Sequence, residues 1–525
     1  MPIDRRTLLK AATASALLGT ADNTGMAASA TLKFGDPEPF SYDKLKALAA
    51  RRAKEPYVAP QQPAASVVRK INYEEWGKII FDTDYALYAN GPERYPITFF
   101  HLAEWFRKPV KIYAVENSEA RQIIYRSSYF QMPATSIARR LPSGIGFAGF
   151  RVQEARGGKL DWRRNDWVAF LGASYYRAIG ELFTYGASVR GVAIDTAVGN
   201  RPEEFPDFTH FYLHEPQDGD SVTVYALLEG PSVVGAYRFV TTRGKGVVME
   251  IEQTLHLRRP VERLGLVPLT SMYWFSETVK PTAIDWRPEV HDSDGLAMRN
   301  GKDEHIWRPL NDPPRTTASA FLDDNPKGFG LLQRDRVFND YLDGVHYEKR
   351  PSIWVEPIGD WGKGAVQLIE IPTDDEIHDN IVATWVPDKQ PVGVPMTLAY
   401  RLYWLADEPF PTPLARCVAT RLGRGGQPGQ PRPKGVCKFT VEFLGGPLAT
   451  LPRGVKPELH ITVSRGKITP YKIVEAVPDE VAGHWRVQFD LAQAEGAEPV
   501  DLRLYLTARG QVASETWLYQ YHPAG

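Results

Sequence analysis

Residues 221–257 read SVTVYALLEGPSVVGAYRFVTTRGKGVVMEIEQTLHL, and this stretch decides the fold class. Apolar and polar residues alternate in three runs, which predicts strands at Ser221 to Leu228, Gly235 to Thr242 and Gly246 to Leu257. The glycine-containing turn Arg243-Gly244-Lys245-Gly246 predicts a hairpin between the last two runs. Successive strands joined by short turns favour an antiparallel sheet over alternating strand–helix units.

The same alternation continues on both sides of this stretch. It predicts further strands at Val366 to Ile371 and Met396 to Leu405, and long helical patterns are few. One helix is predicted where Ser41 precedes Tyr42 to Ala49 as an N-cap. The chain is therefore expected to be mainly β, with a large antiparallel β-sandwich over residues 31–405.

A break follows this first domain. Ala406 to Pro413 read ADEPFPTP, and the three prolines predict a linker. Residues 414–525 then predict a small immunoglobulin-like β-sandwich. Its strands are expected at Lys438 to Leu444, Glu458 to Ser464, Trp485 to Leu491, Leu502 to Ala508 and Glu515 to Tyr521.

The second domain also contains a basic, proline-rich stretch and both cysteines. Arg421 to Lys434 is rich in Gly, Pro and Arg, which predicts a mobile loop that is either solvated or a partner contact. Cys417 and Cys437 flank this loop. A disulfide and two free buried thiols are both open at this point.

The N-terminus predicts export. Asp4 to Lys10 read DRRTLLK, a short apolar run covers Ala11 to Gly19, and Ala28-Ser29-Ala30 offers small residues for cleavage. These features predict a twin-arginine signal peptide over residues 1–30 and a periplasmic mature protein beginning near Thr31. An ordinary secretory signal and a disordered tail are the alternatives. No later segment approaches the roughly 18 apolar residues of a membrane helix, so no stable membrane insertion is expected.

The composition excludes several functional classes. The 525 residues include 62 basic and 63 acidic side chains, which argues against a nucleic-acid partner. The 13 Trp, 24 Tyr and 23 Phe suit β-sandwich cores and also a groove that packs on sugar rings. Templates for metal ligation, for an activated nucleophile and for nucleotide phosphates are lacking, so no metal and no cofactor are expected.

Carboxylates are the remaining candidates for chemistry. Two segments, residues 285–308 and 370–385, bring them together with aromatic and arginine side chains. Glycoside chemistry needs one carboxyl group as the acid and a second group on the base side. Asp-rich turns also cap loops or bind calcium, so residue types alone leave catalysis and structure both open.

Four longer strings carry a resemblance to a known family. They read GASYYRA at 172–178, RGVAIDTA at 190–197, RPEVHDSDGLAM at 287–298 and RPSIWVEP at 350–357. In these strings the chain resembles the periplasmic glucan biosynthesis family (MdoG, OpgG and OpgD), over nearly the whole mature chain and with the same two-domain layout. A twin-arginine signal is typical of the OpgD branch.

The resemblance implies an inverting enzyme of glycoside hydrolase family 186 that acts on osmoregulated periplasmic glucans with β-1,2-linked backbones. The general acid of the family matches Asp379. The base-side carboxylate matches the Asp292-Ser293-Asp294 turn, where Asp292 is favoured and Asp294 stays open. The segment Asp343 to Arg350 resembles a loop that closes over substrate.

Aromatic, arginine and acidic side chains around these positions are expected to contact sugar. They are Trp286, Arg287, Trp307, Tyr347, Arg350, Trp354, Glu356, Trp361 and Trp385.

We therefore expect an endo-β-1,2-glucanase that works without a cofactor. Two alternatives stay open: an inverting transglycosylase that cyclises the glucan through an α-linkage, and a non-catalytic glucan-binding scaffold. The partners compatible with these expectations are the β-1,2-glucan substrate, a second copy of the chain in a homodimer, and the glucan synthase machinery.

Overall fold

A computed structural model describes residues 31–90, 94–199, 201–214, 219–280, 283–452, 454–492 and 496–523. The export signal predicted over residues 1–30 lies outside the described residues. Three helices are described: α1 (Tyr42–Lys54), α2 (Ala65–Val68) and α3 (Tyr73–Gly77). Within the described residues, no helix has the length and apolar character needed to cross a membrane.

The helix predicted to follow Ser41 is confirmed as α1. Ser41 has extended backbone, and its Oγ accepts a hydrogen bond from the N–H of Lys44 at 3.2 Å, which caps the helix. Leu45 and Ala49 lie one turn apart and are buried. They pack with Val234 and other apolar residues on the outer face of the large sheet described below.

The rest of the described chain is mainly strand. Strands β1 to β12 are Phe34–Pro39, Ile80–Phe81, Ile97–Phe100, Lys111–Glu116, Glu119–Ile123, Phe130–Gln131, Gly149–Gln153, Asp166–Leu171, Tyr175–Ala178, Ser188–Arg190, Val192–Ile194 and Asp207–His214. Strands β13 to β23 are Ser221–Glu229, Val233–Arg243, Val247–Leu257, Leu264–Ser271, Tyr273–Phe275, Val290–His291, Gly295–Arg299, His305–Pro309, Thr317–Asp324, Gly328–Leu332 and Ser352–Ile358. Strands β24 to β34 are Lys363–Glu370, Ile381–Pro387, Met396–Leu405, Arg416–Arg424, Val436–Leu444, Glu458–Val463, Lys467–Ala476, His484–Ala492, Val500–Ala508, Gln511–Val512 and Thr516–Tyr521. Short 3-10 turns cover Thr83–Tyr85, Ser127–Tyr129, Ile137–Arg140, Phe338–Asp340, Tyr347–Lys349 and Gly446–Thr450.

The meander predicted from residues 221–257 is confirmed. β13, β14 and β15 pair antiparallel along their whole length, and β26 pairs antiparallel with β15. The turn between β14 and β15 closes with a hydrogen bond from the N–H of Gly244 to the carbonyl of Gly246, at 3.0 Å. Val247, Met249 and Ile251 face inward from alternate positions of β15, as the period of two requires.

Two large sheets face each other across the main core. One has 16 strands in the order β1-β5-β4-β12-β13-β14-β15-β26-β23-β22-β19-β20-β34-β32-β29, with β33 beside β32. The other has ten, in the order β21-β24-β25-β16-β10-β9-β8-β7-β3, with β11 beside β16. Apolar side chains from both sheets, among them Phe239, Trp385 and Trp404, fill the space between them. The fold is therefore mainly β and antiparallel, as the sequence predicts.

A second core lies on the other face of the 16-stranded sheet. A four-stranded sheet, β27-β28-β31-β30, packs against this face. Phe439, Phe489 and Trp517 are buried in this core together with Trp307 and Trp354. β34 pairs parallel with β20, so hydrogen bonding runs without a break from residues before 405 to residues after 414. Ala406 to Pro413 thus lies between two cores that share one sheet.

The predicted strands beyond residue 436 are present within two residues of their expected ends. β27, β30 and the short β33 are additional. The predicted loop begins later than expected, because Arg421 to Arg424 still belong to β27. Both cysteines are free and buried. Cys417 lies opposite Phe443, six residues along β28 from Cys437. At the usual rise of a strand, six residues place the two cysteines about 20 Å apart, which excludes a disulfide between them.

Candidate functional site

Asp379 lies at the end of a loop that runs from β24 to β25. The loop is fixed by Asn380, whose side-chain oxygen accepts from the N–H of Tyr273 at 2.9 Å. The amide nitrogen of Asn380 donates to the carbonyl oxygens of Tyr273 and Ile371, at 2.8 Å each. At the other end of the loop, the N–H of Thr373 donates to Asp312 at 2.9 Å. These contacts hold the half-buried Asp379 at the start of β25.

Asp379 faces three residues from strands β9 and β10 of the same sheet. Tyr175, Arg177 and Arg190 are each close enough to Asp379 for an electrostatic interaction. Burial raises the pKa of Tyr175 to about 12; Arg190 opposes this rise and Asp379 adds to it. Arg190 is engaged by Glu203 and stacks over the Tyr175 ring.

Arg177 differs from Arg190 in its contacts. Its side chain is buried, and burial lowers its pKa. Its guanidinium lies over the ring of Tyr185, 5.7 Å from the centroid. The carboxylates of Asp379 and Asp166 oppose the effect of burial on its pKa. The N–H groups of a guanidinium can also donate to a polar ligand.

Asp292 lies just after β18 and is fully buried. One of its carboxylate oxygens is 3.2 Å from Nε of Arg350. Arg350 also donates to the carbonyl oxygen of Tyr185, and burial lowers its pKa. Tyr185 therefore connects the two halves of the site, because Arg177 lies over its ring and Arg350 bonds its carbonyl. Asp379 interacts electrostatically with Arg177, Arg177 with Arg350, and Arg350 lies beside Asp292.

Asp294 faces a different part of the molecule. Its Oδ2 accepts from the N–H groups of Arg334 and Asp335, at 2.9 and 3.1 Å. Burial raises its pKa, while His291 and Arg334 oppose the rise. Asp292 and Asp294 are separated by one residue, and they contact different arginines. Of the two aspartates left open by the sequence, Asp292 is the one beside Arg350.

Arg287 and Tyr347 join three loops around the site. Oε2 of Glu376 accepts from Arg287 at 2.8 Å and from the Tyr347 hydroxyl at 2.7 Å. Arg287 also pairs with Asp285 and Asp343, at 2.9 Å each. Burial acts to lower the pKa of Arg287, but hydrogen bonds to the three carboxylates raise it overall. The segment Asp343 to Arg350 is thereby fastened to the loop that carries Asp379. Glu376 was not among the predicted site residues.

A cavity of about 510 Å³ adjoins Tyr175. Its aromatic lining includes Trp105, whose side chain is 39% exposed, together with Phe205. Its basic lining includes Arg107 and Lys108. Open aromatic faces beside polar groups are the lining expected of a sugar site. Sequence reasoning missed this surface, because Trp105, Tyr175 and Phe205 are far apart in the chain. Only Tyr175 lies in a string that carried the family resemblance.

Most of the tryptophans expected to line sugar subsites are core residues. Trp307, Trp354, Trp361 and Trp385 are each at most 8% exposed. Trp307 and Trp354 pack in the second core, and Trp361 stacks near Trp385 in the main core. Rings buried to this degree present no face to a ligand, so the structure does not support sugar contact by these four. The sequence-based expectation did not distinguish tryptophans buried in the core from tryptophans exposed on a binding surface.

Trp286 and Glu356, which were also expected to contact sugar, have different surroundings. Trp286 is 69% exposed, beside Arg287. Glu356 lies on β23 and accepts from the hydroxyl of Tyr403 at 2.6 Å and from Arg401 at 3.4 Å. Trp286 is therefore open to a ligand, whereas the carboxylate of Glu356 is engaged within the 16-stranded sheet.

Comparison with known proteins gives consistent matches over the whole chain. Residues 40–521 match the family described as "Periplasmic glucan biosynthesis protein, MdoG". The chain is 62% identical to "Glucans biosynthesis protein D 2" of Ralstonia nicotianae, over 99% of this chain and 98% of that protein. It is 46% identical to "Glucans biosynthesis protein D" of Xanthomonas oryzae pv. oryzae, over 100% and 98% of the two chains. The protein of the same name from Stenotrophomonas maltophilia is 45% identical, over 94% and 91%.

Proposed function

Since this chain belongs to the periplasmic glucan biosynthesis protein family, MdoG, we propose that it is an inverting enzyme that cleaves β-1,2-glucan. Family membership supplies the coarser role, in the biosynthesis of periplasmic glucans, and the periplasmic location. The β-1,2 linkage and the inverting outcome come from the family resemblance. The residue roles are argued below from the geometry of the site.

One observation carries the proposal. Two aspartates from distant parts of the chain lie close to a pair of neighbouring arginines: Asp379 interacts with Arg177, and Asp292 lies beside Arg350. The two arginines share Tyr185 as a contact. An inverting glycosidase needs two carboxyl groups on opposite faces of the scissile bond, with room between them for the attacking group. Here each aspartate lies next to its own arginine, so the two carboxyl groups belong to one charged cluster without contacting the same arginine.

Asp379 takes the role of the general acid in this proposal. It is only half-buried, at the end of a loop that Asn380 holds by hydrogen bonds, so its carboxyl group is accessible to a glycosidic oxygen. Protonation of the leaving oxygen lets the bond break as the anomeric carbon is attacked from the opposite face.

Asp292 takes the base-side role. Its carboxylate is fully buried and lies 3.2 Å from Nε of Arg350. The family resemblance also implies that protons move through water or sugar hydroxyls, so Asp292 does not have to touch the attacking oxygen. Arg177, which interacts electrostatically with Asp379, supplies N–H donors for a sugar oxygen.

The cavity beside Tyr175 supports an oligosaccharide rather than a small molecule as substrate. Its volume of about 510 Å³ exceeds the space needed for a single sugar ring, and Trp105 offers an exposed aromatic face. Tyr175 connects this cavity to Asp379 through their electrostatic contact. We assign the cavity to glucan units that extend away from the cleaved bond.

The test is turnover of linear β-1,2-glucan by purified protein and two variants. Asp379→Asn keeps the shape of the side chain and removes the proton, so turnover is expected to fall about 10²- to 10⁴-fold. Asp374→Asn is the matched control, because Asp374 is an exposed carboxylate on the same loop. It is expected to leave turnover near that of the wild type. Glucan binding, measured by calorimetry, should survive in both variants.

The products decide among the candidate reactions. Linear reducing oligosaccharides, released as the α-anomer, are the expected outcome of hydrolysis with inversion. Non-reducing rings with one α-linkage would instead make the protein a cyclising transglycosylase. Binding without any product would contradict an enzymatic role and favour a glucan-binding scaffold. Near-normal turnover by Asp379→Asn would remove Asp379 as the acid.

A further inference from the structure

A buried arginine, Arg190, connects Asp379 with the aromatic lining of the cavity beside Tyr175. Arg190 ends β10 and lies directly opposite Tyr175 of β9 in the sheet. Its guanidinium lies 5.2 Å from the centroid of the Tyr175 ring and 5.1 Å from that of Phe205. Both rings line the cavity of about 510 Å³. One cation therefore packs against two walls of the proposed subsite and also interacts with Asp379.

The orientation of Arg190 depends on Glu203. A terminal nitrogen of Arg190 donates to Oε1 of Glu203, and the arginine is 7% exposed. Within the described part of the chain, its side chain makes no other hydrogen bond, and its buried Nε has no partner. A guanidinium carries its N–H groups in a fixed fork, so a single acceptor decides how the fork is turned. Glu203 is that acceptor.

Glu203 is itself held in a defined place. Thr196, which is 2% exposed, donates its hydroxyl hydrogen to the same Oε1 at 2.6 Å. The turn that carries Thr196 is fixed by Asp195, whose Oδ1 accepts from the N–H groups of Glu262 and Arg263 at 2.9 Å each. The carboxylate of Glu203 therefore does not follow Arg190; the arginine takes its position from the carboxylate.

Glu203 also balances the charge around Asp379. The charged and titratable groups that face Asp379 from β9 and β10, or accompany it on its own loop, are Tyr175, Arg177, Arg190, Asp375, Glu376 and His378. The positive charge of Arg190 favours the ionised form of Asp379. Glu203 offsets part of that charge, because it pairs with Arg190.

We infer that Glu203 is a positioning residue, which holds Arg190 between the rings of Tyr175 and Phe205 and keeps its full charge from acting on Asp379. This inference rests on the proposed role of Asp379 as the general acid. Glu203 acts through Arg190, so its role is indirect. Without its charge, Arg190 would stabilise ionised Asp379 more strongly, and the acid would lose its proton at a lower pH.

The test is the pH dependence of kcat/KM on linear β-1,2-glucan, for purified protein and for Glu203→Gln. Glutamine keeps the length of the side chain and an acceptor oxygen, and it removes the negative charge. The alkaline fall in kcat/KM, where the general acid loses its proton, is expected about one pH unit lower in the variant. Above that range the variant should be about tenfold slower than the wild type.

Glu204→Gln is the matched control, because it makes the same change one residue later in the chain. The carboxylate of Glu204 accepts from the N–H and the hydroxyl of Ser232, at 2.9 and 2.6 Å. Its alkaline fall is expected at the pH of the wild type. A merely structural role of Glu203 would lower activity at every pH and leave the position of the fall unchanged.

A second variant covers the case that Glu203→Gln does not fold, since that change leaves Arg190 buried without its carboxylate. Glu203→Gln combined with Arg190→Gln removes both charges. Its alkaline fall is expected at or above the pH of the wild type, because the cation that favours ionised Asp379 is gone. A fall at lower pH than in the wild type would overturn the inference.

A direct titration separates this inference from the proposed function. The ionisation of Asp379 is followed by carboxyl carbon-13 NMR of aspartate-labelled protein, with its signal assigned by its absence in Asp379→Asn. The midpoint is expected about one pH unit lower in Glu203→Gln, whether or not glucan is cleaved. Wild-type protein that does not cleave glucan would refute the proposed function only. An unchanged midpoint in Glu203→Gln, or an equal shift in Glu204→Gln, would overturn the positioning role.

Discussion

Replacing Arg334 with methionine tests the contact that joins the two cores. Arg334 forms two hydrogen bonds to the carboxylate of Glu515, at 2.9 Å each. Its guanidinium also lies 3.7 Å from the ring centroid of Trp307. The arginine side chain is 9% exposed and that of Glu515 is 3% exposed. Arg334→Met keeps most of the volume and leaves Glu515 charged and buried without its partner.

The expected cost follows from this burial. Breaking a buried ion pair by removing one partner costs about 3–5 kcal/mol, most of it the desolvation of the remaining charge. Glu408, the second acid at Arg334, keeps Arg416 at 3.3 Å, so the cost is expected to come from Glu515. Arg334→Met should therefore lower the free energy of unfolding by about 3–5 kcal/mol.

Equilibrium urea unfolding, followed by tryptophan fluorescence, measures this loss. Arg315→Met is the matched control, because Arg315 and its partner Glu498 are 67% and 68% exposed, and a surface pair of this kind contributes at most about 1 kcal/mol. Adding Glu515→Gln to Arg334→Met should restore most of the loss, since it removes the unpaired charge. A loss no larger than that of Arg315→Met, or no recovery in the double variant, would refute the reasoning.

Three further predictions concern other parts of the chain. Burial raises the pKa of Asp312 to about 7, so the stability it contributes is full below about pH 4 and is lost as the pH rises through about 7. Relative to the wild type, Asp312→Asn should therefore gain about 2 kcal/mol in unfolding free energy between pH 5 and pH 8; a difference that does not change with pH would contradict this. Thiol labelling without reductant should find two reactive thiols, Cys417 and Cys437, in denatured protein, and no thiol would indicate a disulfide after all. Arg5→Lys with Arg6→Lys should hold the precursor in the cytoplasm if the twin arginines are read by the folded-protein pathway, which normal periplasmic accumulation would exclude.

The parts of the fold that the sequence predicts well depend on local pattern. β13, β14 and β15 follow from alternation along 221–257, since each strand pairs with its neighbour in the chain. The cap of α1 follows from Ser41 alone. In both cases the interacting residues are close in the chain: the cap joins Ser41 to the first turn of α1, and each strand pairs with the strand that follows the next turn.

The candidate site was predicted only in part, because its residues come together through contacts between distant parts of the chain. Asp379 and Asp292 could be named only through the family resemblance. Their shared surroundings depend on Arg177 and Tyr185, which reach the site through the pairing of β9 and through long-range contacts. The sequence also could not separate Trp385, which is fully buried, from the exposed Trp105, because both are simply aromatic residues in a β-rich chain.

The parallel pairing of β34 with β20 has a consequence for biosynthesis. Ile306 pairs with Thr516, about 210 residues later in the chain. At about 5–20 residues per second, the ribosome needs roughly 10–40 s to make the intervening segment. During that interval β20 has a neighbour on one side only, β19, and its other edge exposes unpaired N–H and C=O groups. Nascent chains that meet at this edge can pair with each other, so slower translation of residues 310–515 should increase aggregation of this protein.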